Sequence, residues 1–211
     1  MLKVPTLSRN KIILIVNVLG LILIAAIVFG LRVYNQENAV NLPIPPGNDT
    51  AVTYTSSTPV TLIIPAIGVN AKIEPVGKTA DGNMAVPSTL KTVAWYKLGA
   101  APGEIGNVAM AGHLDSATGK PGVFINLHKL KIGDLIEVIG ENGEKFVYKV
   151  TGSKTVPYAN PGRQILEDTF GKTDKARLNL ITCEGTWVQS KKSYTDRLIV
   201  NSELVVSSTR P

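Results

Sequence analysis

The chain opens with a long apolar stretch. Residues 12–31, IILIVNVLGLILIAAIVFGL, contain no charged side chain, and Asn17 is their only strongly polar one. A helix of about 20 residues rises about 30 Å, which matches the hydrocarbon thickness of a bilayer. A buried core helix is the alternative, but such a helix keeps a polar face and this segment has none. The pattern therefore predicts a single membrane-spanning helix.

The flanking charges give this predicted span an orientation. Three basic residues and no acidic ones precede it in residues 1–11, and Arg32 follows it directly. The positive-inside rule places residues 1–11 in the cytoplasm and the chain after residue 31 outside the cell. A cleaved signal peptide is the rival interpretation, but its apolar region usually spans about 7–15 residues. We expect an uncleaved single-pass anchor in the cell membrane.

Beyond the span the pattern changes twice. Residues 32–58 are polar, rich in Pro, Ser and Thr, and show no sustained period, which predicts an extracellular linker. From residue 59 to residue 208, short runs typical of β-strands alternate with turn signals. These runs are VTLIIP, VNAKIEPV, NVAMAG, DLIEVI, EKFVYKVTGSKTV, ARLNLITC and RLIVNSELVV. We expect residues 59–208 to form one domain.

The spacing of these runs favours an all-β domain. Glu141-Asn142-Gly143 joins two of them and is a strong hairpin signal. Residues 163–170, RQILEDTF, have the spacing of a short helix, and residues 87–96, PSTLKTVAWY, are a candidate for another. Strand–helix–strand alternation of useful length is absent from the pattern, which argues against a parallel α/β sheet. Seven or eight short strands predict a β-barrel or a sandwich.

Composition excludes several classes of function. The formal charge is +6, but residues 1–32 contribute four basic residues and no acidic one. The remaining 18 basic and 16 acidic residues form no basic block, so we expect no nucleic-acid partner. A single cysteine excludes an intramolecular disulfide, and together with only two histidines it argues against a zinc site. We expect no metal and no cofactor.

The one cysteine, Cys183 in LNLITCEGTW, ends an alternating run. A lone cysteine is most often a small buried hydrophobe. A cysteine nucleophile attacks as a thiolate, and at an ordinary pKa only about 3% of the thiol is ionised at pH 7. Cys183 therefore needs a base or a cationic neighbour before it can be catalytic.

Two residues could supply these roles. His113 follows an apolar run that ends at a glycine, the place where a rigid strand presents a side chain at a rim, whereas His128 has the surroundings of a surface histidine. Arg197 begins the last run, 14 positions after Cys183, so antiparallel neighbouring strands would set the two side by side. A structural histidine, and an arginine that is merely solvated or paired with Asp196, remain alternatives.

These segments together resemble a known family. LITC, DRLIV and AGHLDS are similar to the cysteine, arginine and histidine strands of the sortases, the cysteine transpeptidases of Gram-positive surfaces. The likeness covers residues 59–206, and the sequence HLDS followed by GVF is most similar to class F.

The resemblance implies that residues 59–208 are a sortase catalytic domain, a closed eight-stranded β-barrel with its active site at one rim. It implies that Cys183 is the nucleophile, His113 the acid/base partner and Arg197 the clamp for substrate and oxyanion. The implied substrate is a sorting motif of the Leu-Pro-x-Thr-Gly kind near the C-terminus of an exported protein. The implied acceptor is an amine of a cell-wall precursor or a pilin.

Further residues have weaker assignments. Asp115 shares a strand face with His113 and either orients the imidazole or its loop or serves as a plain turn acid, and the backbone N–H of Glu184 is a candidate oxyanion donor. Trp187 and Tyr194 belong to a segment, residues 184–196, that we predict to be a loop shaping specificity. Thr182 fits the family pattern, whereas Asn179 stands where many sortases have threonine.

Two rival functions use the same residues differently. An extracellular cysteine hydrolase would pass the acyl group to water, and a non-enzymatic surface β-domain would keep Cys183 buried and inert. Some sortases bind calcium through acids before the cysteine strand, but the three here are scattered and predict no metal; they are Glu167, Asp168 and Asp174.

Overall fold

The computed structural model describes residues 57–208. The predicted cytoplasmic segment, the membrane span and nearly all of the predicted linker lie outside these residues. Between residues 57 and 208, no helix is both long and apolar enough to cross a membrane.

Eight strands and one short α-helix make up the described residues. The strands are β1 (Pro59–Ile64), β2 (Val69–Val76), β3 (Val93–Tyr96), β4 (Gly106–Gly112), β5 (Leu135–Gly140), β6 (Lys145–Pro157), β7 (Ala176–Val188) and β8 (Ser193–Ser208). The helix is α1 (Arg163–Phe170), and single 3-10 turns occupy Pro65–Ile67, Leu127–Lys129 and Gln189–Lys191.

The strands close into a barrel in the order β1-β2-β3-β4-β7-β8-β6-β5. Most neighbours are antiparallel, but β2 pairs with β3 in parallel, and so does β4 with β7. A parallel pair needs a long crossover, and the chain between β4 and β7 supplies it with β5, β6 and α1. The eight-stranded barrel predicted for this chain is confirmed.

The core follows the alternation of the sequence. Leu62 and Ile64 in β1, and Ile136 and Val138 in β5, are fully buried at every second position. Successive side chains of a strand point to opposite faces, so these residues fill the barrel interior while their neighbours face outward. Residues 178–180 of β7 break this alternation because all three are buried.

Two local predictions met different outcomes. The β5–β6 hairpin and the helix at residues 163–170 are confirmed. The second helix, considered within residues 87–96, is wrong. Val93–Tyr96 instead forms β3, because Val93, Ala94 and Trp95 are buried between β2 and β4 and take their backbone hydrogen bonds from those strands.

The barrel has two distinct ends. At one end Pro59 pairs with Gly140 and Lys145 pairs with Ser208, so the chain enters and leaves the barrel there. At the other end Val156 of β6 pairs with Arg197 of β8. At about 3.3 Å per residue, the stretch of β6 between these two levels spans on the order of 36 Å.

Candidate active site

Cys183 and Arg197 face each other across two antiparallel strands. They are direct cross-strand partners in the β7–β8 ladder. Side chains of direct partners project on the same face of a sheet with Cβ atoms about 5 Å apart. The predicted adjacency of the thiol and the guanidinium is therefore present in the structure.

The predicted strand end at Cys183 is wrong, and so is the predicted loop at residues 184–196. β7 continues to Val188, and β8 already begins at Ser193. The ladder resumes after an irregularity between Glu184 and Trp187, where Trp187 pairs with Tyr194. Their rings pack edge to face with centroids 5.3 Å apart, which stabilises this extended end of the hairpin.

His113 reaches the same end from the neighbouring strand. It follows β4, which runs parallel to β7 with Ala111 opposite Ile181. The hydroxyl of Thr182 donates to the carbonyl of Gly112 at 2.9 Å, so the two chains stay adjacent beyond that pair. His113 comes immediately after β4, and counting the Ala111–Ile181 register on by two residues makes Cys183 its counterpart in β7.

The imidazole of His113 has a partner that the sequence did not reveal. Its Nε2 lies 3.1 Å from the carbonyl oxygen of Pro87, in the connection between β2 and β3. The backbone of His113 is also held, because its carbonyl accepts the Phe124 N–H at 3.0 Å. A side chain at Gly122 would collide with this backbone, which gives the Gly-Val-Phe segment after the histidine a physical role.

His128 lies in an exposed 3-10 turn, as its surroundings predicted. It is therefore a surface histidine and serves as a natural reference for His113.

Arg197 is oriented by its own hairpin. Its Nη1 donates to the carbonyls of Tyr194 (3.2 Å) and Asp196 (2.7 Å), and its Nη2 donates to the Ser193 hydroxyl at 3.2 Å. The guanidinium carbon also lies 3.8 Å from the centroid of the Tyr158 ring, a cation–π contact. The Asp196 carboxylate instead accepts the Thr195 hydroxyl at 2.6 Å. Arg197 is therefore held in place and keeps N–H groups that are not used within the hairpin. Tyr158 is a residue of the site that spacing in the sequence could not show.

Electrostatics at Cys183 has opposing contributions. Burial raises the pKa of the Cys183 thiol, the positive charge of Arg197 lowers it, and the negative charge of Asp115 raises it again. The net pKa is above the ordinary value. Thiolate formation at neutral pH therefore depends on Arg197.

Asp115 forms a link across the site. Its Oδ2 accepts a hydrogen bond from the Tyr194 hydroxyl at 2.7 Å, which joins the segment after β4 to the β7–β8 hairpin. This hydrogen bond is the main reason that the pKa of Tyr194 rises to about 12. Asp115 thus holds two elements of the site together, which is more than a plain turn acid does.

Asn179, the departure from the family pattern, is fully buried and bonded on all sides. Its amide nitrogen donates to Asn107 Oδ1 and to the Thr169 carbonyl, both at 3.0 Å. Its Oδ1 accepts from Asn201 Nδ2 at 2.7 Å. The side chain joins β4, β7, β8 and the end of α1, which explains why both faces of β7 are buried at this level.

Two of the three acids considered for calcium are bound to cations of the protein. Glu167 pairs with Arg163 at 2.8 Å, and Asp168 pairs with Lys154 at 3.2 Å. In the part of the chain that the structure describes, His, Cys, Asp and Glu form no group of three or more that could hold a metal ion.

The imidazole of His113 follows β4, the thiol of Cys183 lies on β7 and the guanidinium of Arg197 lies on β8, and these three strands are consecutive in the barrel. These are the groups that an acyl-transferring cysteine enzyme uses. The sortase domain family model matches residues 62–205. The chain belongs to the sortase family, whose members are cysteine transpeptidases.

Solved structures agree with this assignment. Sortase C-1 from Actinomyces oris is 25% identical, with a TM-score of 0.54 over 70% of this chain and 73% of that one. A Clostridium perfringens sortase D5 transpeptidase is 24% identical, with a TM-score of 0.52 over 71% and 79%. Sortase A from Listeria monocytogenes is 22% identical, with a TM-score of 0.54 over 74% and 92%. A search of curated proteins found no match. These structures belong to several classes and do not support class F in particular.

Proposed function

We propose that this chain is a sortase anchored in the cell membrane by residues 12–31, with its barrel outside the cell. It cleaves a Leu-Pro-x-Thr-Gly-like motif near the C-terminus of exported proteins and transfers the acyl group to an amine of a cell-wall precursor or a pilin. The observation that carries this proposal is the direct pairing of Cys183 with Arg197, with His113 immediately after β4, the strand that adjoins β7.

In the first half-reaction the Cys183 thiolate attacks the threonine carbonyl of the motif and forms a C–S bond. Arg197 has five N–H groups, of which three are used within the hairpin, leaving two for the substrate oxygen. The backbone N–H of Glu184 is the second candidate oxyanion donor. His113 protonates the leaving glycine amine, the C–N bond breaks, and a thioester remains on Cys183.

In the second half-reaction the acceptor amine attacks the thioester. His113 takes up a proton from the incoming nitrogen, the C–S bond breaks, and a new amide is released. Cys183 must be a thiolate while His113 is protonated, and the raised thiol pKa makes this combination a minority state near neutral pH. We therefore expect slow turnover and a bell-shaped dependence of kcat/KM on pH; a flat profile would contradict the scheme.

The test uses the full chain in mild detergent, a library of sorting-motif peptides and several amines, with products identified by mass spectrometry. We expect cleavage after threonine and an amide carrying the added amine, and loss of both in Cys183→Ala. His113→Ala and His128→Ala form a matched pair, and only the first should abolish the product. Cleaved peptide without any amide would support the hydrolase alternative. No product from any motif, with Cys183→Ala indistinguishable from wild type, would refute the proposal.

The class F assignment rests on HLDS followed by GVF and stays part of the proposal. The proposed anchor has a separate test, in which the full chain should sediment with membranes and a chain starting at residue 32 should not.

A further inference from the structure

The His113 imidazole makes a hydrogen bond whose direction is fixed by chemistry. A carbonyl oxygen only accepts hydrogen bonds, so the nitrogen 3.1 Å from the Pro87 carbonyl must carry a hydrogen. That nitrogen is Nε2. The hydrogen on Nε2 is therefore present in both the neutral and the charged imidazole, and Nδ1 is the nitrogen free to gain and lose a proton.

The peptide group that supplies this carbonyl is held from its other side. The Ser88 N–H, which belongs to the same planar peptide as the Pro87 carbonyl, donates to Glu74 Oε1 at 2.5 Å. The Glu74 carboxylate also accepts the hydroxyls of Ser88 (2.8 Å) and Thr92 (2.9 Å). One carboxylate on β2 thus fixes the plane of the peptide that faces His113.

The charge of Glu74 strengthens this arrangement. The Ser88 N–H is the main reason that the pKa of the Glu74 carboxyl lies below its usual value, so the group is ionised at neutral pH. Hydrogen bonds in a chain polarise one another, and an anion on the N–H side of a peptide makes its carbonyl a better acceptor. The Glu74 carboxylate, the Pro87–Ser88 peptide and the His113 imidazole therefore form a continuous chain of hydrogen bonds.

We propose that Glu74 is a positioning residue of the active site. Through the Pro87–Ser88 peptide it holds His113 with its hydrogen on Nε2, so that Nδ1 passes the proton to the leaving glycine amine. In acylation the Nδ1–H bond breaks as the N–H bond of the departing amine forms. In the second half-reaction the proton of the incoming amine returns to Nδ1. The Nε2 hydrogen never moves.

This inference rests on the proposed transpeptidase function, but its first test needs no activity. The chain has two histidines, so nitrogen-15 NMR of histidine-labelled full chain gives two ring systems, and His128→Gln assigns them. For neutral His113 we expect a protonated Nε2, a bare Nδ1 and a slowly exchanging Nε2–H. A hydrogen on Nδ1 in the neutral ring would overturn the proposal, whatever the peptides show.

The kinetic test compares Glu74→Gln with variants of matched chemistry. We expect Glu74→Gln to lower kcat about tenfold, with KM for the peptide within about twofold, and to speed exchange of the Nε2–H. Ser88→Ala removes only a hydroxyl and keeps the N–H bond, so its kcat should stay within about threefold. Asp81→Asn removes the same charge at an exposed position in the connection between β2 and β3, and it should leave kcat unchanged.

The outcomes separate the possible failures. An unchanged kcat in Glu74→Gln would show that Glu74 does not act on His113 through the Pro87–Ser88 peptide. An equal loss of kcat in Ser88→Ala would show that only the packing of the β2–β3 connection matters. Circular dichroism of each variant verifies folding. If too little Glu74→Gln protein is obtained for kinetics, the exchange rate of its His113 Nε2–H, measured by NMR, decides the proposal. If wild type processes no peptide, the proposed function fails while the position of the His113 hydrogen is still measured.

Discussion

The charge of Arg197 should set the thiolate content of Cys183. The test removes that charge in Arg197→Met, which keeps most of the apolar stem. It then removes the opposing charge in Asp115→Asn, which still offers an oxygen to Tyr194. Since Arg197 lowers the pKa of Cys183 and Asp115 raises it, the two variants should move this pKa in opposite directions.

The size of the effect follows from Coulomb's law. Cross-strand partners at Cα distances of about 5 Å put the two charges at about 6 Å. The effective dielectric constant lies between about 20, typical near a protein surface, and about 80 in water, and about 40 is an intermediate value. The interaction is then about 1.4 kcal/mol, or about a tenfold change in the ionisation equilibrium of the thiol. Arg197→Met should raise the thiol pKa, and Asp115→Asn should lower it by less, since Arg197 has the larger influence of the two.

The assay is alkylation of the folded chain by iodoacetamide as a function of pH. Because Cys183 is the only cysteine, the rate reports on this thiol alone. At pH 7, Arg197→Met should lose about tenfold in thiolate, partly offset by the greater nucleophilicity of a more basic thiolate, for a net slowing of about threefold. Added salt should shrink the difference.

Two controls carry equal charge changes far from the thiol. Lys149→Met and Asp174→Asn alter exposed residues and should leave the alkylation profile unchanged. If Arg197→Met leaves the pKa in place, or if both site variants shift it the same way, the electrostatic reasoning is wrong. If Cys183 resists alkylation until the protein is denatured, the enzyme interpretation fails with it.

Three further substitutions test the structure around the site. Asn179→Leu should destabilise the barrel by about 2–4 kcal/mol in chemical denaturation, because its buried partners lose their hydrogen bonds, whereas the exposed Asn70→Ala should change stability by less than about 0.5 kcal/mol. Gly185→Ala should lower both melting temperature and kcat/KM, since φ is +84° and the added methyl would collide with β8; Gly152→Ala, with open space around it, should do neither. Thr182→Val should cost about 1 kcal/mol of stability and lower kcat with little change in KM; an unchanged kcat would show that its bond to the β4 carbonyl does not position the site.

The features that local pattern determines were predictable. The β5–β6 hairpin follows from an Asn-Gly turn between alternating runs, and α1 from the spacing of its apolar residues. The pairing of Cys183 with Arg197 followed from two runs separated by a short segment. Each of these depends on residues close together in the sequence.

The remaining features of the site depend on contacts between residues that are far apart in the sequence. Asn179 could not be explained because its partners lie on three other elements, at positions 107, 169 and 201. Pro87 and Tyr158 touch the site residues across 26 and 39 positions. The alternating run that stops at Cys183 suggested the end of a strand, but the ladder resumes after an irregularity between Glu184 and Trp187 and continues to Val188.

The order in which the strands appear along the chain has a consequence for synthesis. β4 can pair with β7 only after β7 has been synthesised. This parallel pairing closes about 70 residues of intervening chain into a loop. Such long-range pairing is slow compared with local hairpin formation, and barrels rich in it fold in milliseconds to seconds. The nucleophile and its arginine lie in the last two strands, so a nascent chain that still lacks β8 has its histidine but no paired thiol. The enzyme is therefore unable to acylate anything until the final strand has been made and the barrel has closed.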